Sequence, residues 1–196
     1  LAVGAPRLDG AGSVHVVFGR AGSVPASLPL SQLDGSNGFR ISGAEVGDRL
    51  GFAIAAAGDI NGDGIDDVLI GAYRADPEGR SDAGAAYVVF GRAGAFPANL
   101  GVEQLDGSNG FRLAGLQDDA RAGQAVVGLG DFNGDGRDDL ALGALFFDGA
   151  SGQDAGAAFV VFGRDEFPPS IDLDGLDGSD GIRFDGAASG DVAGQT

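Results

Sequence analysis

The stretch Asp59-Ile60-Asn61-Gly62-Asp63-Gly64-Ile65-Asp66-Asp67 decides the fold of this chain, and it returns 72 residues downstream as Asp131-Phe132-Asn133-Gly134-Asp135-Gly136-Arg137-Asp138-Asp139. Both copies put oxygen-bearing side chains at positions 1, 3, 5 and 9 and glycine at positions 4 and 6. Alternate spacing lets three short side chains converge from one tight loop, and glycine accepts the positive φ that such a turn needs. Asp and Asn bring only hard oxygen donors, with no His or Cys nearby. That chemistry suits Ca²⁺, which takes roughly six to eight oxygens in a flexible shell, better than zinc or copper. The candidate ligands of one site are Asp59, Asn61, Asp63, the Ile65 carbonyl and Asp67. Those of the second are Asp131, Asn133, Asp135, the Arg137 carbonyl and Asp139.

An EF-hand opens the same way but requires a bidentate acid at position 12, where this chain has Ile70 or Leu142. Here the closing acid stands at position 9 and leads straight into an apolar, strand-like run. The plain alternative is a solvated Asp/Gly turn, since Asp-Gly and Asn-Gly are common turn dipeptides. Two copies with every ligand position kept argue against it.

Composition narrows the function classes. A hydrophobic content of 43% over 196 residues supports a folded chain with a sizeable core. Glycine is abundant at 38, which points to many turns and short strands. The acids are 25 Asp and 4 Glu against 12 Arg and no Lys. Asp favours loops and metal ligation over helix surfaces. A net charge of -17 opposes nucleic acid and anionic membranes and favours cations. Without cysteine there is no disulfide, zinc-thiolate site or thiol nucleophile. No run approaches the apolar length of a spanning helix, and Leu1–Gly10 has no signal-peptide character, so any export signal is expected outside this stretch.

Internal echoes organise the whole chain. Val16-Val17-Phe18-Gly19-Arg20 returns at Val88–Arg92 and Val160–Arg164, a period of 72. Leu33-Asp34-Gly35-Ser36-Asn37-Gly38-Phe39-Arg40 returns unchanged at Leu105–Arg112 and, altered, at Leu176–Arg183, one residue early. Gly4-Ala5-Pro6, Gly71-Ala72-Tyr73 and Gly143-Ala144-Leu145 form a third echo, expected at the same spacing. Each period is expected to hold four short strands, in the central copy Phe52–Ala57, Asp67–Ala72, Ala85–Phe90 and Phe111–Gly115, with at most one helical turn in Leu100–Leu105. Near-continuous apolar runs such as Val68-Leu69-Ile70 suit strands covered on both faces.

The fold expected is therefore all-β: blades of a β-propeller, built as four-stranded antiparallel repeats of about 72 residues, in an incomplete propeller. Residues 1–43 read as a partial blade, 44–115 and 116–186 as blades, and 187–196 as the start of another, one array without a domain linker. Antiparallel order puts the Asp-rich loop and the long Arg92-type loop on one face, and the Tyr73-type loop and blade-to-blade link on the other. The chain opens at a second strand and ends at the start of a first, so it is expected to be a fragment of a longer secreted protein or to close by pairing two chains, and to self-associate in isolation.

Gly-Asp-x-Asn-Gly-Asp-Gly-x-x-Asp, followed by an apolar strand and Gly-Ala, resembles the FG-GAP repeats of integrin α-subunit propellers, and still more the bacterial versions in large secreted, calcium-dependent proteins. The family's Phe-Gly has become Leu50-Gly51, Ala122-Gly123 and Ala193-Gly194, keeping glycine and losing the aromatic ring. The resemblance implies the same two ligand sets, two Ca²⁺ ions, an extracellular or cell-surface setting, and a protein or glycan ligand on the face opposite the ions. That face would hold Tyr73–Gly84, Phe146–Gly156, and the links at Glu45–Arg49 and Asp118–Arg121. Further blades of the same parent chain are the other expected partner. FG-GAP repeats also accompany catalytic domains, as in the phospholipase D acting on glycosylphosphatidylinositol anchors, where a separate domain does the catalysis. With one His, no Cys and no Lys, this chain is expected to be non-catalytic. An accessory propeller of such an enzyme and a passive spacer are the alternatives. His15 takes the place of Tyr87 and Phe159 in the other repeats and is expected to be structural.

Overall fold

The computed structural model describes residues 1–22 and 26–195. Its strands in chain order are β1 (Ala2–Ala5), β2 (Ser13–Val17), β3 (Gly38–Ser42), β4 (Ala53–Gly58), β5 (Asp67–Ala72), β6 (Ala85–Val89), β7 (Asn99–Gly101), β8 (Gly110–Ala114), β9 (Ala122–Gly130), β10 (Asp139–Ala144), β11 (Ala157–Val161), β12 (Ser170–Asp172) and β13 (Gly181–Asp185). The four strands expected per repeat are present, within a residue of the expected ends in the central copy. The expected helical turn is a single 3-10 turn at Val102–Gln104. Gly4 stands 67 residues before Gly71 rather than a full period, because the β1–β2 connection is shorter than Tyr73–Gly84.

Three sheets result, ordered β1-β2-β3-β7, β4-β5-β6-β8-β12 and β9-β10-β11-β13. Within each blade the neighbours are antiparallel, with Ile70 opposite Tyr87 and Tyr87 opposite Arg112. To the four antiparallel strands expected of each repeat the structure adds a short parallel one. β7, from the central repeat, pairs parallel with β3 of the preceding blade, and β12 pairs parallel with β8 in the same way. Each repeat thus lends three residues that cover its neighbour's outer edge, a place where unpaired N–H and C=O groups would otherwise stand open.

The apolar cores lie between blades. Successive side chains of a strand point to opposite faces. Leu69 and Val88 accordingly join Leu140, Leu142 and Phe159 of the next blade, while Ile70, Tyr87 and Val89 join Val14, Phe39 and Ile41 of the preceding one. That is why the runs are apolar without alternation. The outer edges are closed by rings. Phe96 stacks on Phe39 at 4.1 Å between centroids, and Phe167 on Phe111 at 4.2 Å. Arg92 and Arg164, ending the Val-Val-Phe-Gly-Arg echoes, lie 4.4 and 4.9 Å from the centroids of Phe96 and Phe167.

The two glycine signatures of the repeat meet each other across blades. A Cβ on Gly4 would stand 2.3 Å from the carbonyl oxygen of Gly51, one on Gly71 1.9 Å from that of Gly123, and one on Gly143 1.8 Å from that of Gly194. Backbone lies on backbone there, so neither residue tolerates a side chain. The ring missing from Leu50-Gly51 and Ala122-Gly123 is replaced by smaller groups that remain buried.

His15 lies in β2 opposite Val3 and Arg40, is buried, and leaves Nδ1 without a partner. Burial, with Arg40 adding repulsion, lowers its pKa from the usual histidine value. Two outcomes follow from this packing. Gly71→Ala should destabilise the chain by about 1–3 kcal/mol in denaturant titration, as overpacking does. His15→Phe should leave calcium titration unchanged and remove a loss of stability on acidification. The wild-type imidazole binds fewer protons folded than unfolded, so its contribution falls as pH drops below the usual histidine range; melting temperatures at pH 5 and pH 8 measure it.

Candidate metal centre

The two Asp-rich loops occupy the β4–β5 and β9–β10 connections. They lie on the face that also carries the Gly91-Arg92 and Gly163-Arg164 corners, as the strand order requires. Gly62 and Gly64 have φ of +74° and +88°, and Gly134 and Gly136 have +81° and +92°, so each loop turns where a Cβ would strain it.

The loops fold around their own carboxylates. Asp59 accepts the N–H groups of Asp63 and Gly64 at 2.9 and 2.8 Å, Asn61 Oδ1 accepts the same Asp63 N–H at 2.9 Å, and Asp63 accepts Ile65 N–H at 2.8 Å. In the second loop Asp131 accepts from Gly134, Asp135 and Gly136, Asn133 from Asp135, and Asp135 from Arg137, at 2.7 to 3.0 Å. Positions 1 and 3 thus bring their oxygens onto one N–H. The position-5 carboxylate also receives the amide of position 3, from Asn61 at 3.2 Å and from Asn133 at 2.9 Å.

The acid at position 9 has a different setting. Asp67 and Asp139 are 1% and 0% exposed, whereas Asp63 and Asp135 stand in solvent. Asp67 accepts Ile60 N–H at 3.1 Å from its own loop and Gly91 N–H at 2.7 Å from the next corner. Asp139 does likewise with Phe132 and Asn133 at 2.9 and 3.1 Å, and with Gly163 at 2.8 Å. One buried carboxylate therefore ties loop, strand and corner together. Burial pushes the Asp67 carboxyl up to about 7, with Asp63 and Asp59 adding repulsion, against its two backbone hydrogen bonds. The Asn133 amide and the Arg137 N–H hold the Asp135 carboxyl below the usual range. The Arg137 side chain turns to Asp165, leaving its main chain to the loop.

Each carboxylate oxygen has two lone pairs, so oxygens that accept a single N–H, such as Asp59 Oδ1 and Oδ2, keep capacity for a cation. The donor set is oxygen throughout and fits a hard divalent ion. Among the described residues, however, no three or more Asp, Glu, His or Cys side chains form a group set to hold a metal. The loops are shaped by hydrogen bonds to N–H groups.

Other Asp-rich turns behave differently. In Asp34-Gly35-Ser36-Asn37, Asp34 accepts both the N–H and the hydroxyl of Ser36, and Asn37 Nδ2 reaches Gln32 C=O. Asp106 and Asp177 repeat the Asp–Ser pattern, and the serine hydroxyl is the main reason that all three carboxyls sit below the usual range. This turn is closed on itself.

The opposite face holds a buried acid that the sequence reading did not single out. Asp48, 6% exposed, accepts Glu45 N–H at 3.0 Å beside Asp76, and its backbone carbonyl accepts Arg74 N–H. Asp191 makes the same bond to Ala188, while Ala120 occupies the place in the link between, so repetition in two of three links was the available signal. Burial pushes Asp48 up to about 6, with Glu45 and Asp76 contributing repulsion. Val46 and Phe52 are exposed nearby at 83% and 50%. No helix among the described residues is long and apolar enough to cross a membrane.

Sheets joined by glycine contact and carrying a recurrent Asp-rich loop on one face define a β-propeller repeat protein. The FG-GAP repeat model matches residues 51–89 and 122–161, which places both loops inside matched repeats. The chain is 33% identical over 161 residues to integrin alpha-PS2 of Drosophila melanogaster, covering 79% of this chain and 11% of that protein. It is 37% identical over 120 residues to phosphatidylinositol-glycan-specific phospholipase D of Bos taurus, covering 59% and 13% respectively. To integrin alpha-2 of Mus musculus it is 38% identical over 97 residues, covering 50% and 8%. This chain is an integrin α-like FG-GAP repeat protein. It spans about a tenth of the length of the curated relatives it matches.

The buried Asp48 carboxyl gives a signed expectation. Its folded pKa lies above its unfolded one, so the folded chain binds more protons, and its contribution falls as pH rises from about 4 through about 6. Asp48→Asn keeps an acceptor for the Glu45 N–H and removes the titration. Melting temperatures of wild type and variant should therefore diverge across that window, the wild type losing ground towards neutral pH.

Proposed function

We propose that this chain is a non-catalytic, extracellular calcium-binding propeller segment that presents its ion-free face to a protein or glycan ligand in adhesion or surface display. The observation that carries the reading is the duplicated loop. Two nine-residue stretches, each with three oxygen-bearing side chains at alternate positions that are half-buried or exposed and a buried acid at the ninth, fold alike on one face. Asp59, Asn61, Asp63, the Ile65 carbonyl and Asp67 would hold one ion. Asp131, Asn133, Asp135, the Arg137 carbonyl and Asp139 would hold the other.

Each loop carries three candidate ligand carboxylates within nine residues, whose repulsion a divalent cation would offset. The negative charge of the whole chain favours the same partner. Extracellular modules of moderate affinity fill at about millimolar Ca²⁺, which supports a location outside the cell. The blades of this reading are 44–115 and 116–186, with 1–43 and 187–196 contributing to neighbouring ones. The ligand surface is Tyr73–Gly84, Phe146–Gly156, Glu45–Arg49 and Asp118–Arg121.

Calcium titration tests the reading. Two ions should bind per chain, and Asp63→Ala or Asp135→Ala should each remove one. At free Ca²⁺ about 100 times the dissociation constant, each site should add about 2.7 kcal/mol to stability. A melting temperature that stays the same from millimolar Ca²⁺ to excess chelator would refute it. Binding of the calcium-loaded chain to protein and glycan arrays, lost on substitution in Glu45–Arg49 but not in the loops, would separate a ligand-binding module from a spacer.

A further inference from the structure

Each loop ends in two acids, and only the second has a ligand position; the first, Asp66 or Asp138, is unexplained by the metal reading. The structure gives Asp138 a partner in the other loop. Its carboxylate Oδ2 accepts the Asp59 N–H at 2.8 Å, and its own N–H donates to the Asp59 carbonyl at 3.3 Å. The approach is close enough that a Cβ on Gly58, whose φ is +72°, would fall 2.0 Å from Asp138 Oδ2. A second tie runs beside it. Gly163 donates to Asp139, and the next residue, Arg164, donates its N–H to the Ile60 carbonyl at 3.0 Å. A Cβ on Gly163 would meet the carbonyls of Asp138 and Ile60 at 2.5 and 2.9 Å.

Position 1 of the first loop is therefore bonded in both directions to position 8 of the second. Asp138 stands between the Arg137 carbonyl and Asp139, two members of the second ligand set. Fixing Asp59 fixes the N–H and C=O that hold Asp138, and holding Asp138 orders the residues on either side of it. The reverse path is the same, as linkage requires. We infer that Asp138 is a positioning residue that couples the two loops, so that calcium in one raises the affinity of the other. The proposal rests on the calcium reading. In a longer array the position-8 acid of each loop would tie it to the loop before, and Asp66 is the member of that series in the first loop.

The test is isothermal titration of the whole chain with CaCl₂, comparing wild type, Asp63→Ala and Asp135→Ala, then the same three with Asp138→Ala added. Each single variant reports one loop alone. In the wild-type background the two-ion constant should exceed the product of the two single-site constants by about fivefold, the low end of coupling between sites. With Asp138→Ala the product and the two-ion constant should agree. Asp138→Asn, which keeps an acceptor for the Asp59 N–H, should restore most of the excess, which mere loss of blade packing would not. Agreement within twofold in the wild-type background overturns the coupling while leaving calcium binding standing, and this comparison needs no substitution at Asp138. An excess that survives Asp138→Ala overturns the role of Asp138. Absence of binding in every chain overturns the calcium reading, and the coupling with it.

Discussion

A blade of this protein is apolar on both faces, and neither face can be satisfied within its own sheet. The requirement that every blade be covered by the next one governs the rest of the molecule. Leu69 and Ile70, adjacent in sequence, enter two different cores, so a single strand is committed to two neighbours at once. The glycine pairs are the condition for this. With the backbone of Gly71 lying on the carbonyl of Gly123, the inner ends of two blades come close enough for short side chains such as alanine to fill the space between them. The outer ends are held farther apart and take phenylalanine, with Phe111 and Phe167 stacked. The blade therefore tapers from glycine and alanine inside to aromatic rings outside.

Charge is arranged around the same demand. Asp67 and Asp139 are carboxylates placed where apolar burial is nearly complete, and they are tolerated because each is bonded from two directions by backbone N–H groups. Those bonds join a loop to the corner of its own blade. Asp138 and the Arg164 N–H then join that corner and loop to the blade before. The face that carries the Asp-rich loops and the interblade packing are one construction, so a cation held by the loops would stabilise contacts well beyond its own shell. The opposite face follows a different rule: Asp48 closes a turn with one N–H and lies near Glu45 and Asp76.

What the sequence by itself determined is the content of each repeat. The apolar runs, the Asp/Gly loops and the echoes established the four antiparallel strands of each repeat, their order and their direction, and they named the oxygen-bearing residues of both loops, because these depend on local periodicity and turn chemistry. The strand that each repeat lends to its neighbour was not legible. Asn99–Gly101 and Ser170–Asp172 are three residues long, and three residues carry no period; the recurrence of Phe96-Pro97 and Phe167-Pro168 just before them was the available sign. The loss of the ring from Leu50-Gly51 and Ala122-Gly123 was visible, but not that the remaining glycine faces Gly4 or Gly71 from another blade. Only the tertiary structure decided that pairing, the separate settings of Asp138 and Asp139, and the burial of Asp48. Each rests on contact between residues that are remote along the chain, and such contacts leave no mark on local pattern.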